Sequence, residues 1–205
     1  AALKAMYKDY PNLITKSSNG KFEFKITFFK RTKRLTYFLG IQKDGADAIQ
    51  SIYKYFVGGK NREAKNYPNY FAYFQRMGTH PKKPTILLFD NEMESKRPLR
   101  KLLDEQKIPK EQIEKLRKEL YLKVLDNGNL YLMTNPLIPG KDECEIEYLF
   151  SEETRSTLIG GKRLCLKDKY DTQKYYGKEI FSQYILDHFD QIDFSGFRPL
   201  LDTLT

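Results

Sequence analysis

Asp90 and Glu92 stand two residues apart at the end of an apolar run, Pro84-Thr-Ile-Leu-Leu-Phe-Asp90. In an extended segment, residues i and i+2 point to the same side, so the two carboxylates can converge. Oxygen donors of this kind hold Mg2+ or Mn2+. Such an ion neutralises phosphate charge and lowers the pKa of a bound water, which phosphodiester cleavage requires. The plainer alternative is an Asp that satisfies loop amides at a strand end, with Glu92 and Glu94 solvated. A second acidic turn, Gln42-Lys-Asp44-Gly-Ala-Asp47, follows another apolar run.

The charge balance fits an anionic partner. Thirty-six Lys and Arg against 27 Asp and Glu give a net charge of +9, which favours nucleic acid before membrane. The basic residues are concentrated early: residues 1–43 hold ten of them against Asp9 and Glu23 alone. Lys30, Arg31, Lys33 and Arg34 lie beside Phe28 and Phe29. Cations next to aromatic faces suit phosphate and base contact, which makes these four the nucleic-acid-binding candidates. A solvated surface is the alternative.

Other classes find little support. Cys144, Cys165, His80 and His188 do not have the short spacing of a zinc site, and two cysteines make no disulfide framework. A reduced, cytoplasmic setting is expected. No run approaches the roughly 18 apolar residues that span a bilayer, and the first residues lack a secretion-signal pattern. The chain starts without Met and reads as a piece of a longer protein.

Elements must position these residues. Residues 1–20 read as a linker ending in the Ser17-Ser-Asn-Gly20 turn, and the domain division puts the tether at 1–24. Lys21–Phe29 alternates as a strand, and Leu35–Ile41 is apolar throughout, a buried type of strand. Helical spacing covers 46–56, a short aromatic helix 68–77, and Pro84–Asp90 is the clearest strand. A helix starts at Pro98. Residues 111–118 predict a charged, solvent-facing helix. Leu120–Leu125 and Leu130–Met133 flank a turn sequence and predict a hairpin. An acidic helix at 142–150, a helix at 175–188 and a closing helix docked by Phe194, Phe197 and Leu200 complete the order. The pattern predicts an α/β fold, a mostly parallel sheet flanked by helices with a C-terminal helical extension, spanning 25–205. In such sheets sites lie beyond the carboxyl ends of strands, here the turn at Asp44 and the loop at Asp90.

The stretch Pro84-Thr-Ile-Leu-Leu-Phe-Asp-Asn-Glu-Met-Glu-Ser95 resembles the TOPRIM signature, a hydrophobic strand followed by Asp-x-Asp, with Glu92 in place of the second Asp. The family's other acid is a Glu after the first strand; Asp44 in Phe38-Leu-Gly-Ile-Gln-Lys-Asp-Gly-Ala-Asp47 is the nearest match. Over about residues 25–205, the order of these motifs with Ile146-Glu-Tyr-Leu-Phe150, Tyr175-Tyr-Gly-Lys-Glu179 and Ile192-Asp-Phe-Ser-Gly-Phe197 resembles the C-terminal region of retron-type reverse transcriptases carrying a TOPRIM-like domain. The polymerase's own Tyr-x-Asp-Asp motif is absent.

The resemblance implies a metal-dependent nuclease effector in anti-phage defence. The reverse transcriptase domain and its DNA–RNA product (msDNA with non-coding RNA) would be its partners and restrain it. It implies Asp44, Asp90 and Glu92 as metal ligands, and Glu147 as a further one. Lys162, Arg163 and Lys178 are basic candidates near that site. Lys178 follows Gly177 at a helix start and is the candidate for stabilising charge on the phosphate. The second hypothesis is a binding module that holds the retron product or mediates assembly without hydrolysis. A topoisomerase fragment is weaker, because the fifteen tyrosines identify no nucleophile. RNA, such as tRNA, is preferred slightly over DNA as substrate. Oligomeric state is not legible.

Overall fold

A computed structural model describes residues 1–29, 32–39, 41, 45–59, 67–94, 96–125, 129–167 and 169–205. The chain runs through α1 (Ala2–Ala5), β1 (Ile14–Lys16), β2 (Phe22–Phe24), α2 (Lys33–Phe38), α3 (Gly45–Val57) and α4 (Tyr70–Arg76). β3 (Thr85–Phe89), α5 (Pro98–Glu105), α6 (Lys110–Glu119), β4 (Tyr121–Leu125) and β5 (Leu130–Thr134) follow. The remainder holds α7 (Glu152–Arg155), β6 (Arg163–Leu164), β7 (Tyr175–Tyr176), α8 (Lys178–Asp187) and α9 (Arg198–Asp202). Short 3-10 turns cover Ile146–Leu149 and Ser195–Phe197. The class is mixed α/β, with helices and small sheets. Two compact units form: an inserted unit, Phe29–Cys144, and a terminal unit built from Ala1–Phe28 and Glu145–Thr205. Among the described residues, no helix is long and apolar enough to cross a membrane.

The inserted unit is organised by a three-stranded sheet in the order β3-β5-β4. β3 runs parallel to β5, and β4 pairs with β5 antiparallel as the expected hairpin. Leu87 and Phe89 of β3 lie level with Leu132 and Thr134 of β5. One face of the sheet therefore presents Leu87, Phe89, Leu130 and Leu132 to a core shared with Leu99, Leu102 and Leu103 of α5. The i, i+3, i+4 spacing of those three leucines puts them on one stripe, and Pro98 supplies the preset first turn. α6 departs from its expected solvent-facing role: Ile113 and Leu116, three apart and so on one face, are buried in the same core. Burying an aliphatic side chain of this size contributes roughly 1.5–3 kcal/mol, which outweighs the charged composition of the helix.

Two expected strands change character. Leu35–Ile41 is not a strand; the chain is helical over Lys33–Phe38, where the Thr32 hydroxyl caps the Leu35 N–H at 3.2 Å. A short apolar run carries no period that separates strand from helix, and the cap decides. The Lys21–Phe29 strand shrinks to Phe22–Phe24. The acidic helix expected over 142–150 is a single 3-10 turn. Tyr175 and Tyr176 belong to β7, so the last long helix starts only at Lys178.

The chain divides differently from the expected tether at 1–24 and domain at 25–205. Residues 1–24 carry α1, β1 and β2, and bury Leu3, Tyr10, Leu13 and Ile14. The Tyr10 hydroxyl donates to Asp202 at 2.7 Å, and Arg198 pairs with Asp9 at 2.6 Å. In the same unit Phe150 packs edge-on against Phe181, Phe194 and Phe197, with centroids 4.8–5.6 Å away. The apolar residues of this first segment belong to the terminal unit's own core.

Candidate metal centre

The parallel pairing of β3 and β5 delivers two polar residues to one edge of the inserted unit. Asp90 follows β3, and Asn135 follows β5 one step past the Phe89–Thr134 register. Side chains alternate across a strand, so Phe89 and Thr134 share the core side while Asp90 and Asn135 share the other. Asn135 Nδ2 donates to Asp90 Oδ1 at 2.8 Å, and the Asn135 N–H reaches the Phe89 carbonyl at 3.3 Å. Pro136 keeps Asn135 extended, since the residue before proline is barred from the helical region.

Asn91 locks the turn after β3. Its N–H and carbonyl exchange 2.9 Å hydrogen bonds with Cys144. Its amide donates to the Asn135 carbonyl at 2.9 Å, and its Oδ1 accepts from Arg117 Nε of α6 at 3.2 Å. Arg117 also donates to the Asp142 carbonyl. Glu143 Oε1 then accepts the N–H groups of Met93 and Glu94 at 2.7 and 2.9 Å. Asp90 is thus presented by a frame of backbone and amide hydrogen bonds. Glu92 is only 8% exposed and is neutralised by Arg97, Nε to Oε1 3.2 Å. A buried carboxylate requires such a partner.

Two buried oxygens at this edge, Asn135 Oδ1 and Thr134 Oγ1, have no hydrogen-bond partner among the described residues. Leaving a buried acceptor unsatisfied costs about 1–3 kcal/mol. A water or a cation at Asn135 Oδ1 removes that cost. Carboxylate and amide oxygens are the donors that Mg2+ and Mn2+ select, so Asp90 and Asn135 fit such an ion by donor chemistry. Among the described residues, no three His, Cys, Asp or Glu side chains gather into a metal-binding group.

The remaining sequence candidates belong to α2, to the terminal unit, or to positions outside the described residues. Asp44, Lys30 and Arg31 lie outside the described residues. Lys33 and Arg34 are exposed in the first turn of α2. Glu147 and Lys178 belong to the terminal unit and pair with each other at 3.4 Å, and Lys178 also meets Glu145. The physical reason is local. Lys178 sits at the positive end of α8, where a cation is disfavoured, and two carboxylates compensate it; Glu147 is buried and needs the charge. Lys162 donates to the Thr172 carbonyl at 2.7 Å, and Arg163 is exposed on β6. Asn135, Asn91, Arg97, Arg117 and Glu143 were not singled out from sequence. The Asn-Pro pair closing β5 was the one legible signal. Among the described residues, Cys144 and Cys165 are not joined by a disulfide.

No protein-family model matches the chain, and no solved structure matches it.

Proposed function

We propose that the chain is a metal-dependent nuclease of TOPRIM-like character, the effector part of a retron reverse transcriptase in anti-phage defence. It would cleave phosphodiester bonds, RNA such as tRNA before DNA, and be restrained by the DNA–RNA product. The motif resemblance supports the family reading. The observation that carries the chemistry is the edge where Asp90, held by Asn135, lies beside a buried amide oxygen with no hydrogen-bond partner among the described residues.

Asp90 and Asn135 Oδ1 would hold Mg2+ or Mn2+, with Glu92 available from the same turn once Arg97 yields. The bound ion supplies charge neutralisation for phosphate and a more acidic water. Asn135 fixes the orientation of the Asp90 carboxylate, and Asn91 and Arg117 hold the turn that carries both. Exposed cations such as Lys33 and Arg34 retain the polyanion.

A binding module without hydrolysis, holding the retron product or mediating assembly, is favoured by one observation: Glu92 is engaged by Arg97, Nε to Oε1 3.2 Å. Cleavage of tRNA and single-stranded DNA, assayed with Mg2+ and Mn2+ for wild type and Asp90→Ala, separates the two. Metal-dependent cutting lost in Asp90→Ala is expected. Asn135→Ala, which removes both a donor oxygen and the partner that orients Asp90, should raise the metal concentration for half-maximal cutting by at least about tenfold. Unchanged cutting by Asp90→Ala overturns the site, and no cutting by either protein with either metal favours the binding module.

A further inference from the structure

A cavity of about 640 Å³ opens in the terminal unit, and no residue of the candidate metal centre lines it. Its floor is three part-buried rings contributed by distant segments: Tyr7 after α1, Phe22 in β2 and Phe189 after α8. Phe22 is central, with centroids 5.6 Å from Tyr7 and 6.1 Å from Phe189, each ring turned 78° to it. Two ammonium groups stand over this floor. Lys4 Nζ is 5.8 Å from the Phe22 centroid and 5.5 Å from Phe189. Lys16 Nζ is 5.1 Å from Phe22 and 5.6 Å from Tyr7.

Neither lysine pairs with a carboxylate among the described residues. Of the three acids that line the cavity, Asp9 pairs with Arg198 at 2.6 Å, Asp193 accepts from the backbone and hydroxyl of Ser195 at 2.8 Å each, and Asp190 is exposed to solvent. Two cations mounted around one phenyl ring repel each other, and the rings offset only part of that. An anion between them removes the repulsion. A ligand that also brings a flat face uses the rings as the lysines swing off them.

We propose that this cavity binds a nucleotide unit, its base against the Phe22 floor and its phosphate between Lys4 and Lys16. Rings alone would take any apolar group, and lysines alone any anion. Both at one place match an aromatic base joined to phosphate, the pairing by which single strands are held. The volume lies within the range of small-ligand sites. The site requires neither Asp90 nor a metal, so it stands or falls separately from the nuclease proposal.

The test is equilibrium binding to the full chain in the presence of EDTA, with AMP, a short single-stranded oligonucleotide and inorganic phosphate as probes. AMP is expected to bind about tenfold more tightly than phosphate, the scale of one stacked base. The double substitution Lys4→Gln, Lys16→Gln, made at surface side chains, should weaken AMP at least tenfold with an unchanged circular dichroism spectrum. Phe22→Leu should erase the advantage of AMP over phosphate. Tighter binding of the oligonucleotide than of AMP identifies a unit of a strand, and equal binding a free nucleotide; both uphold the site. Phosphate binding as tight as AMP, or undiminished AMP binding by the double variant, overturns it.

Discussion

Tyr10 shows how much a single hydrogen bond settles in the terminal unit. Its phenol is buried and donates to Asp202. Burial first, then that hydrogen bond, push its pKa up to about 12. The folded state therefore favours the neutral phenol, while an unfolded chain ionises it near pH 10. The stabilisation is fully present below pH 10 and is lost as pH rises toward 12. Denaturant unfolding between pH 8 and 12 should show stability falling, and Tyr10→Phe should flatten part of that fall. A residual slope is expected from Tyr53, which burial raises to about 12 in the inserted unit. At this scale the sequence was only half informative. Asp90 announced itself by ending an apolar strand, whereas its partner Asn135 lies 45 residues downstream and is recruited solely by parallel pairing. Glu147 and Lys178 looked like independent agents, because nothing in a sequence tells that a buried acid and a helix-start lysine meet.

Among the elements, Gly196 leaves the least room for a side chain of the described glycines. A Cβ there would lie 2.1 Å from the Leu149 carbonyl oxygen, so the 3-10 turns at 146–149 and 195–197 approach through a glycine. Gly196→Ala must push backbone apart rather than displace a flexible side chain. A loss of about 1–3 kcal/mol is expected in urea unfolding, the range for overpacked sites. Long periodic segments were legible: α3, α5, α6 and the hairpin fall within a few residues of expectation, since each carries a clear period or turn sequence. The failures were short. Leu35–Ile41 carried no decisive period, and a threonine cap made Lys33–Phe38 a helix. Residues 142–150 had helical composition, but the exchange of hydrogen bonds between Cys144 and Asn91 keeps the chain extended up to the 3-10 turn.

At the scale of the molecule, the terminal unit is made from both ends of the chain. Deleting residues 1–24 should therefore remove core rather than a tether. Leu3, Tyr10, Leu13 and Ile14 would go, each worth roughly 1.5–3 kcal/mol of burial. The expected outcome is loss of the terminal unit's cooperative melting transition in calorimetry, with circular dichroism reporting loss of α8. A shortened chain that melts like the full one would return residues 1–24 to the status of a linker. This arrangement was invisible in composition, because basic, part-apolar residues near a chain end read equally well as a tail.

The same two-ended construction sets an order of events during synthesis. Residues 1–28 leave the ribosome long before Glu145, while everything needed for the inserted unit lies between. At about 5–20 residues per second, the first segment waits roughly 6–23 seconds before Glu145 is made. Over that interval Leu13, Ile14 and the Phe22 ring have no core to enter. The basic residues among them, Lys4, Lys8, Lys16 and Lys21, keep the nascent segment hydrated and away from other apolar chains until the second half arrives.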